Sequence, residues 1–146
     1  SQIGGVFKSK RTTEAILDAD ATLVIKENLL TEGEEQIETI FKVDLNGENS
    51  GVNLNSRSVA RDNSSQVYRS VLNGNNASHG HSACDAIIVG NGKVIATPEL
   101  SANHGDAMLI HEAAIGKIAG EQIVKLQTLG LTEEEAEERI IQGFLR

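Results

Sequence analysis

Hydrophobic positions along this 146-residue chain recur in short runs until near its end, where the spacing becomes helical. The strand-like runs are Ala21–Ile25, Ile37–Leu45, Ser65–Leu72, Ala86–Val89 and Val94–Thr97, rich in β-branched and aliphatic residues. In the second run Ile37, Phe41, Val43 and Leu45 alternate with polar residues, with Ile40 the exception, so one face of that strand is expected to be buried. Turn clusters separate the runs: Asn46-Gly47-Glu48-Asn49-Ser50-Gly51, Asn73-Gly74-Asn75-Asn76 and Gly90-Asn91-Gly92. No repeat of fixed period is visible. Pattern alone leaves two architectures open, a solenoid of stacked short strands and an antiparallel sandwich with Asn-Gly hairpins.

From Ala119 the character changes. Ile123, Leu126 and Leu129 share one helical face, and Gly130 follows as a residue suited to the left-handed position after a helix end. Thr132 with Glu135 three residues on predicts a capping box, and Glu133 and Glu134 favour the positive end of the helix dipole. Ala136, Ile140 and Phe144 form the apolar stripe of this second helix, and the acidic run Glu133–Glu138 reads as its solvated face.

Composition sharpens the choice of architecture. Fourteen Gly, one Pro, no Trp and few aromatics suit a narrow stack of short strands filled by small and β-branched side chains, because a barrel or sandwich of this size usually fills its core with large ones. A net charge of -8 with no Lys/Arg run gives no surface for nucleic acid or an anionic membrane. No apolar stretch is long enough to span a bilayer, and one cysteine cannot form an intramolecular disulfide, so the cytoplasm is the expected compartment. The chain opens on Ser1 in mid-pattern, as the C-terminal part of a longer protein would.

That cysteine, Cys84, lies in Ala83-Cys84-Asp85-Ala86-Ile87-Ile88-Val89-Gly90, with Ile110-His111-Glu112-Ala113 expected about two rungs of a β-helix later. A thiol, an imidazole and a carboxylate brought together can bind a soft metal or make a nucleophile. Taken singly each has a plainer reading: Cys84 as a small buried residue, His111 as a hydrogen-bonded histidine ending an apolar run, and Glu112 as a surface acid. His79-Gly80-His81-Ser82-Ala83-Cys84 also offers metal-ligand spacing, but in a strand His79 and His81 share one face and Cys84 takes the other. By the same alternation His111 and Glu112 cannot both line one flat site. His104 reads as a turn residue.

The order and spacing of several elements from Ser65 to Phe144 resemble the C-terminal core of the SufB/SufD proteins, the scaffold subunits of the SUF iron-sulfur cluster assembly system. They are Ser82–Gly90, Ala96-Thr97-Pro98-Glu99-Leu100, His111–Ile118, Glu121-Gln122, Gly130–Ala136 and Ile140-Ile141-Gln142-Gly143-Phe144. The resemblance implies a mainly β fold, a right-handed parallel β-helix over 1–118 followed by a short C-terminal helical segment over 119–146. It implies a non-enzymatic scaffold that pairs with a SufB- or SufD-like subunit, as homodimer or heterodimer, and works with the SufC ATPase docked on the helical end. A transient iron-sulfur cluster would be held at the subunit interface and passed to apoprotein acceptors.

Cys84 matches the SufB cysteine regarded as essential for cluster building, His111 falls where both proteins have histidine, and Glu112 matches a SufB glutamate where SufD commonly has a small residue. The resemblance therefore implies Cys84, His111 and Glu112 as cluster ligands and a SufB-like chain. Ile110 departs from the acid of many SufB chains, and Val124-Lys125 and Leu129 replace an aromatic pair and an arginine of the helical segment. One thiolate with weaker imidazole or carboxylate ligands suits a cluster that must be handed on, whereas permanent sites usually use four thiolates. Two other readings compete: a cysteine-dependent hydrolase or transferase using Cys84 and His111, and a purely structural, SufD-like pairing subunit. No oxyanion-hole motif or phosphate-binding loop accompanies the Cys-His pair.

Overall fold

A computed structural model describes residues 5–146. Eight strands come first: β1 (Lys8–Leu17), β2 (Thr22–Thr31), β3 (Gln36–Leu45), β4 (Ser50–Ala60), β5 (Ser65–Gly74), β6 (Ser78–Ile88), β7 (Lys93–Ala102) and β8 (Ala107–Lys117). Two helices follow, α1 (Gly120–Gln127) and α2 (Glu133–Phe144). Odd strands form one four-stranded sheet in the order β1-β3-β5-β7, and even strands form another in the order β2-β4-β6-β8. All pairings are parallel. The chain thus winds as a β-solenoid of about four turns, each rung giving one strand to each sheet, and the sandwich alternative fails because its hairpins would make neighbouring strands antiparallel.

A period does exist. Lys8 pairs with Gln36, Gln36 with Ser65 and Ser65 with Lys93, so each rung takes 28 or 29 residues. Its mark lies in the corners. Asn46, Asn75 and Asn103 stack on successive rungs through side-chain amide bonds of 2.7 and 2.8 Å, and Gly33, Asp62 and Gly90 repeat a positive φ. Gly47 is required at its corner because a Cβ there would collide with the Ala19 backbone of the preceding rung.

Strand alternation sets the interior. The central cluster joins Phe41, Val43, Leu45, Val52, Leu54, Tyr68, Leu72 and Cys84, with the Phe41 and Tyr68 ring centroids 5.9 Å apart. Ile40 is also buried, although the alternation of β3 directs it outward, so both faces of β3 carry covered apolar side chains. Small residues fill the narrow space beside these, with Ser56, Ser70, Ser82 and Ala86 all buried. The interior is partly polar, and its polar groups pair as the cost of burying unsatisfied ones demands. Glu27, buried in the even sheet, forms an ion pair with Arg11 and accepts a 3.3 Å hydrogen bond from Ser56 Oγ. The Tyr68 hydroxyl shares a 2.8 Å bond with Ser82 Oγ, which donates at 3.1 Å to Ser70 Oγ.

The second helix follows the sequence closely, whereas α1 stops at Gln127, so Leu129 lies in the turn beyond it and is exposed instead of sharing a face with Ile123 and Leu126. Thr132 Oγ1 accepts from the Glu135 backbone N–H while the Glu135 carboxylate accepts from that of Thr132, completing the capping box. Ala136 and Ile141 are the buried residues of α2, with Ile140 and Phe144 only half-buried. This helix folds back on the early rungs: Arg61 pairs with Glu138 at 2.5 Å, and Asn28 Nδ2 donates to the Leu145 carbonyl at 2.8 Å.

Candidate functional site

β6 and β8 carry every residue singled out for chemistry except His104, which is a turn residue whose Nδ1 accepts the Asp106 backbone N–H. The two strands pair directly, His111 opposite Ser82 and Cys84 opposite Ala113. Cys84 and His111 are therefore one rung apart, not two, because a rung takes 28 or 29 residues and 27 separate them. Both occupy inward positions, His111 one inward step along β8 from the residue facing Cys84.

Cys84 is completely buried. Its inward column runs from Glu27 on β2 through Ser56 on β4 to Cys84 on β6 and Ala113 on β8. Burial, reinforced by the negative charges of Asp85 and Glu27, pushes the thiol up to about 11, so at neutral pH it is protonated. Such a thiol is a poor spontaneous nucleophile, and a metal ion that replaces its proton would supply the missing counter-charge. Burial also raises the Glu27 carboxyl, and the Arg11 guanidinium offsets only part of that rise.

His111 is the anomaly of the interior. Both ring nitrogens are shielded from solvent, and neither has a hydrogen-bond partner. Burial, with the nearby His81 ring, lowers its pKa, which keeps the imidazole neutral and its lone pair available. Two shielded ring nitrogens with no partner are unsatisfied polar groups on a half-buried side chain, and a ligand bound there would satisfy them.

Glu112 takes the other face of β8. There its carboxylate meets His81 Nε2 at 3.2 Å, and His81 Nδ1 lies 3.4 Å from Asn53 Oδ1. His79 shares that outer face, its ring lying against Gly51. The fold thus brings Cys84 and His111 together inside and sets His79, His81 and Glu112 outside, as strand alternation requires. Among the described residues no group of three or more His, Cys, Asp or Glu side chains is placed to hold a metal ion. Glu27 and Ser56, which flank Cys84, carried no signal in the sequence: only the register of β2, β4 and β6 puts them on its column.

β7 and β8 form the last rung and are open. Leu100 stands in register with the fully buried Leu72 yet is 39% exposed, and Ile95 and Ile110 are exposed as well. Among the described residues no helix is long and apolar enough to cross a membrane.

Residues 2–144 match the family described as SUF system FeS cluster assembly, SufBD core domain. A protein of Methanothermobacter thermautotrophicus called an iron-sulfur cluster assembly SufBD family protein is 41% identical over 107 residues, covering 71% of this chain and 26% of the relative. Relatives of the same description from Methanocaldococcus jannaschii and Archaeoglobus fulgidus are 35% and 30% identical over 90% of this chain, which covers 42% and 36% of them. The chain spans about a quarter to two fifths of the length of these relatives.

Proposed function

We infer the function from one premise: this chain belongs to the SufBD family of SUF-system iron-sulfur cluster assembly proteins. It is a SufB-like, non-enzymatic part of a scaffold on which a transient iron-sulfur cluster is assembled in the cytoplasm and passed to apoproteins. The cluster is cargo. Cys84 binds it as thiolate and His111 through a neutral ring nitrogen, while Glu112 is the outer-face ligand, brought to the cluster by subunit pairing. The observation that carries the reading is the half-buried His111 ring, its two nitrogens shielded and unpartnered, one rung from the single thiol. The open last rung supports pairing with a second SufB- or SufD-like subunit, since unpaired strand edges with exposed apolar side chains are ready-made pairing surfaces. The SufC ATPase docks on the α1-α2 segment, where Val124 and Leu129 stand exposed.

The arrangement weighs against a Cys-His nucleophile. Attack needs a thiolate activated by a base, and the Cys84 thiol is protonated at neutral pH with neither His111 ring nitrogen hydrogen-bonded to it. A purely structural, SufD-like role would leave the thiol and the bare imidazole idle.

Anaerobic reconstitution with ferrous iron and sulfide, followed by absorption and Mössbauer spectroscopy, tests the assignment. Wild type is expected to form a cluster, Cys84→Ser to form none and His111→Ala to form a less stable one. Equal loading of wild type and Cys84→Ser would overturn the ligand assignment and favour the structural pairing role.

A further inference from the structure

A concave site of about 410 Å³ lies on the outer face of the even sheet, away from the last rung and against the tail of α2. Lys26 of β2, Arg57 of β4 and Arg146 converge on it, with the amides of Asn28 and Asn55 and one carboxylate, Asp85. We propose that this pocket binds a small phosphate-bearing anion.

Three observations carry it. First, the cations face no side-chain carboxylate closely: Lys26, Arg57 and Arg146 form no ion pair within 4.0 Å with an Asp or Glu among the described residues, and Arg57 engages only the Arg146 main-chain oxygen, at 3.3 Å. Arg57 stands directly opposite Asp85 in register and still forms no pair with it. Three cations against one side-chain carboxylate around one hollow are unexpected in a chain of net charge -8. Second, the wall is fixed. Asn28 Nδ2 donates to the Leu145 carbonyl at 2.8 Å and Arg57 Nη1 to the Arg146 carbonyl at 3.3 Å, so the tail that brings Arg146 to the pocket is tied down on both sides. Third, the size fits. The volume falls in the range of small-molecule sites, and the donors are of the right kind: a guanidinium fork, an ammonium and amide N–H groups suit tetrahedral oxyanions.

Calorimetric titration of the full chain with pyrophosphate at fixed ionic strength tests the site. Saturable binding of one equivalent is expected, weakened about tenfold by Lys26→Gln or Arg57→Gln, because each removes a charge-assisted contact. Lys42→Gln, on the other sheet, should leave it unchanged. Arg57→Gln also removes a tail hydrogen bond, whereas Lys26→Gln touches neither and separates anion binding from folding of α2. No saturable binding, or undiminished binding by Lys26→Gln, overturns the proposal. Citrate binding as tightly as pyrophosphate overturns the assignment to phosphate.

Discussion

The inner rungs and the last rung share one strand pattern and differ in what covers them. Inward positions of β3 to β6 are sealed by neighbours on both sides, whereas the same columns of β7 and β8 have a neighbour on one side only. One column of the odd sheet makes the point: Val43 is 1% exposed, Leu72 0% and Leu100 39%. In a solenoid each rung contacts only its neighbours, so stability accumulates rung by rung and the terminal rung is always the weakest unless something caps it. α2 does not cap it, for it is tied to Asn28 and Arg61 on the early rungs.

The sharpest way to break this contrast is to truncate one column at two heights. Leu72→Ala empties a sealed position and should cost about 2–5 kcal/mol in denaturant unfolding, the range for large-to-small core changes. Leu100→Ala should cost about 1 kcal/mol or less in the isolated chain, because its side chain is already partly in water. Equal losses would mean that the last rung is as well packed as the others. Added to the pairing subunit proposed above, Leu100→Ala should also weaken association.

Backbone proximity gives the next effect. Gly47→Ala forces a methyl into the Ala19 backbone of the rung before, and about 1–3 kcal/mol of overpacking strain is expected. Gly116→Ala, on β8, meets nothing within 4 Å and should be close to neutral by thermal melting. A large loss at Gly116 would show that β8 is covered in solution, for instance by a second copy.

These contrasts also explain what the sequence could and could not say. β3 was legible because its inward residues are large and its neighbours polar. β1 and β4 were not. The inward residues of β1 include Ser9, Arg11 and Thr13, and β4 alternates Val52 and Leu54 with Asn53 and Asn55, then puts the buried serines Ser56 and Ser58 around Arg57 before Val59 and Ala60, so neither presents a continuous apolar run. Parallel pairing joins residues 28 or 29 apart, and strand periodicity within a run says nothing about it. The period was written in the corners instead, in Asn46, Asn75 and Asn103 and in Gly33, Asp62 and Gly90, where only a few residue types stack or accept positive φ. The outward placement of Glu112 followed from alternation, but its partner His81 and the flanking of Cys84 by Glu27 and Ser56 needed the register.

The asparagine ladder offers a smaller test along the same axis. Asn75 sits in its middle, donating to Asn46 and accepting from Asn103. Asn75→Ala breaks both bonds and should cost about 1 kcal/mol, a net value typical of exposed hydrogen bonds. Asn103→Ala, at the open end, breaks only the second and should cost about half as much by chemical denaturation. A larger loss at Asn103 would mean that the ladder is anchored from the last rung rather than from the sealed ones.

The smallest effect is set by pH and lies at the opposite end of the comparison, where α2 meets the sealed rungs. The hydrogen bond from the Arg61 guanidinium holds the Glu138 carboxyl below its usual value, against the opposing effect of partial burial. The folded state therefore binds this proton less readily than the unfolded chain does, and stability is linked to its release. The contribution is complete above the unfolded value, near 4.5, and disappears as pH falls through the lower folded one. Wild type should melt slightly above Glu138→Gln at neutral pH, and the gap should close in acid. Because the Glu138 side chain is 46% exposed, solvent screens the pair, and added salt should narrow the gap as well. Amide exchange decides where the effect is felt: Glu138→Gln should speed exchange in α2 and leave β8 unchanged, since α2 is bound to the early rungs and not to the last. Faster exchange in β8 would tie the helix to the open end and remove the distinction between the two ends of the solenoid.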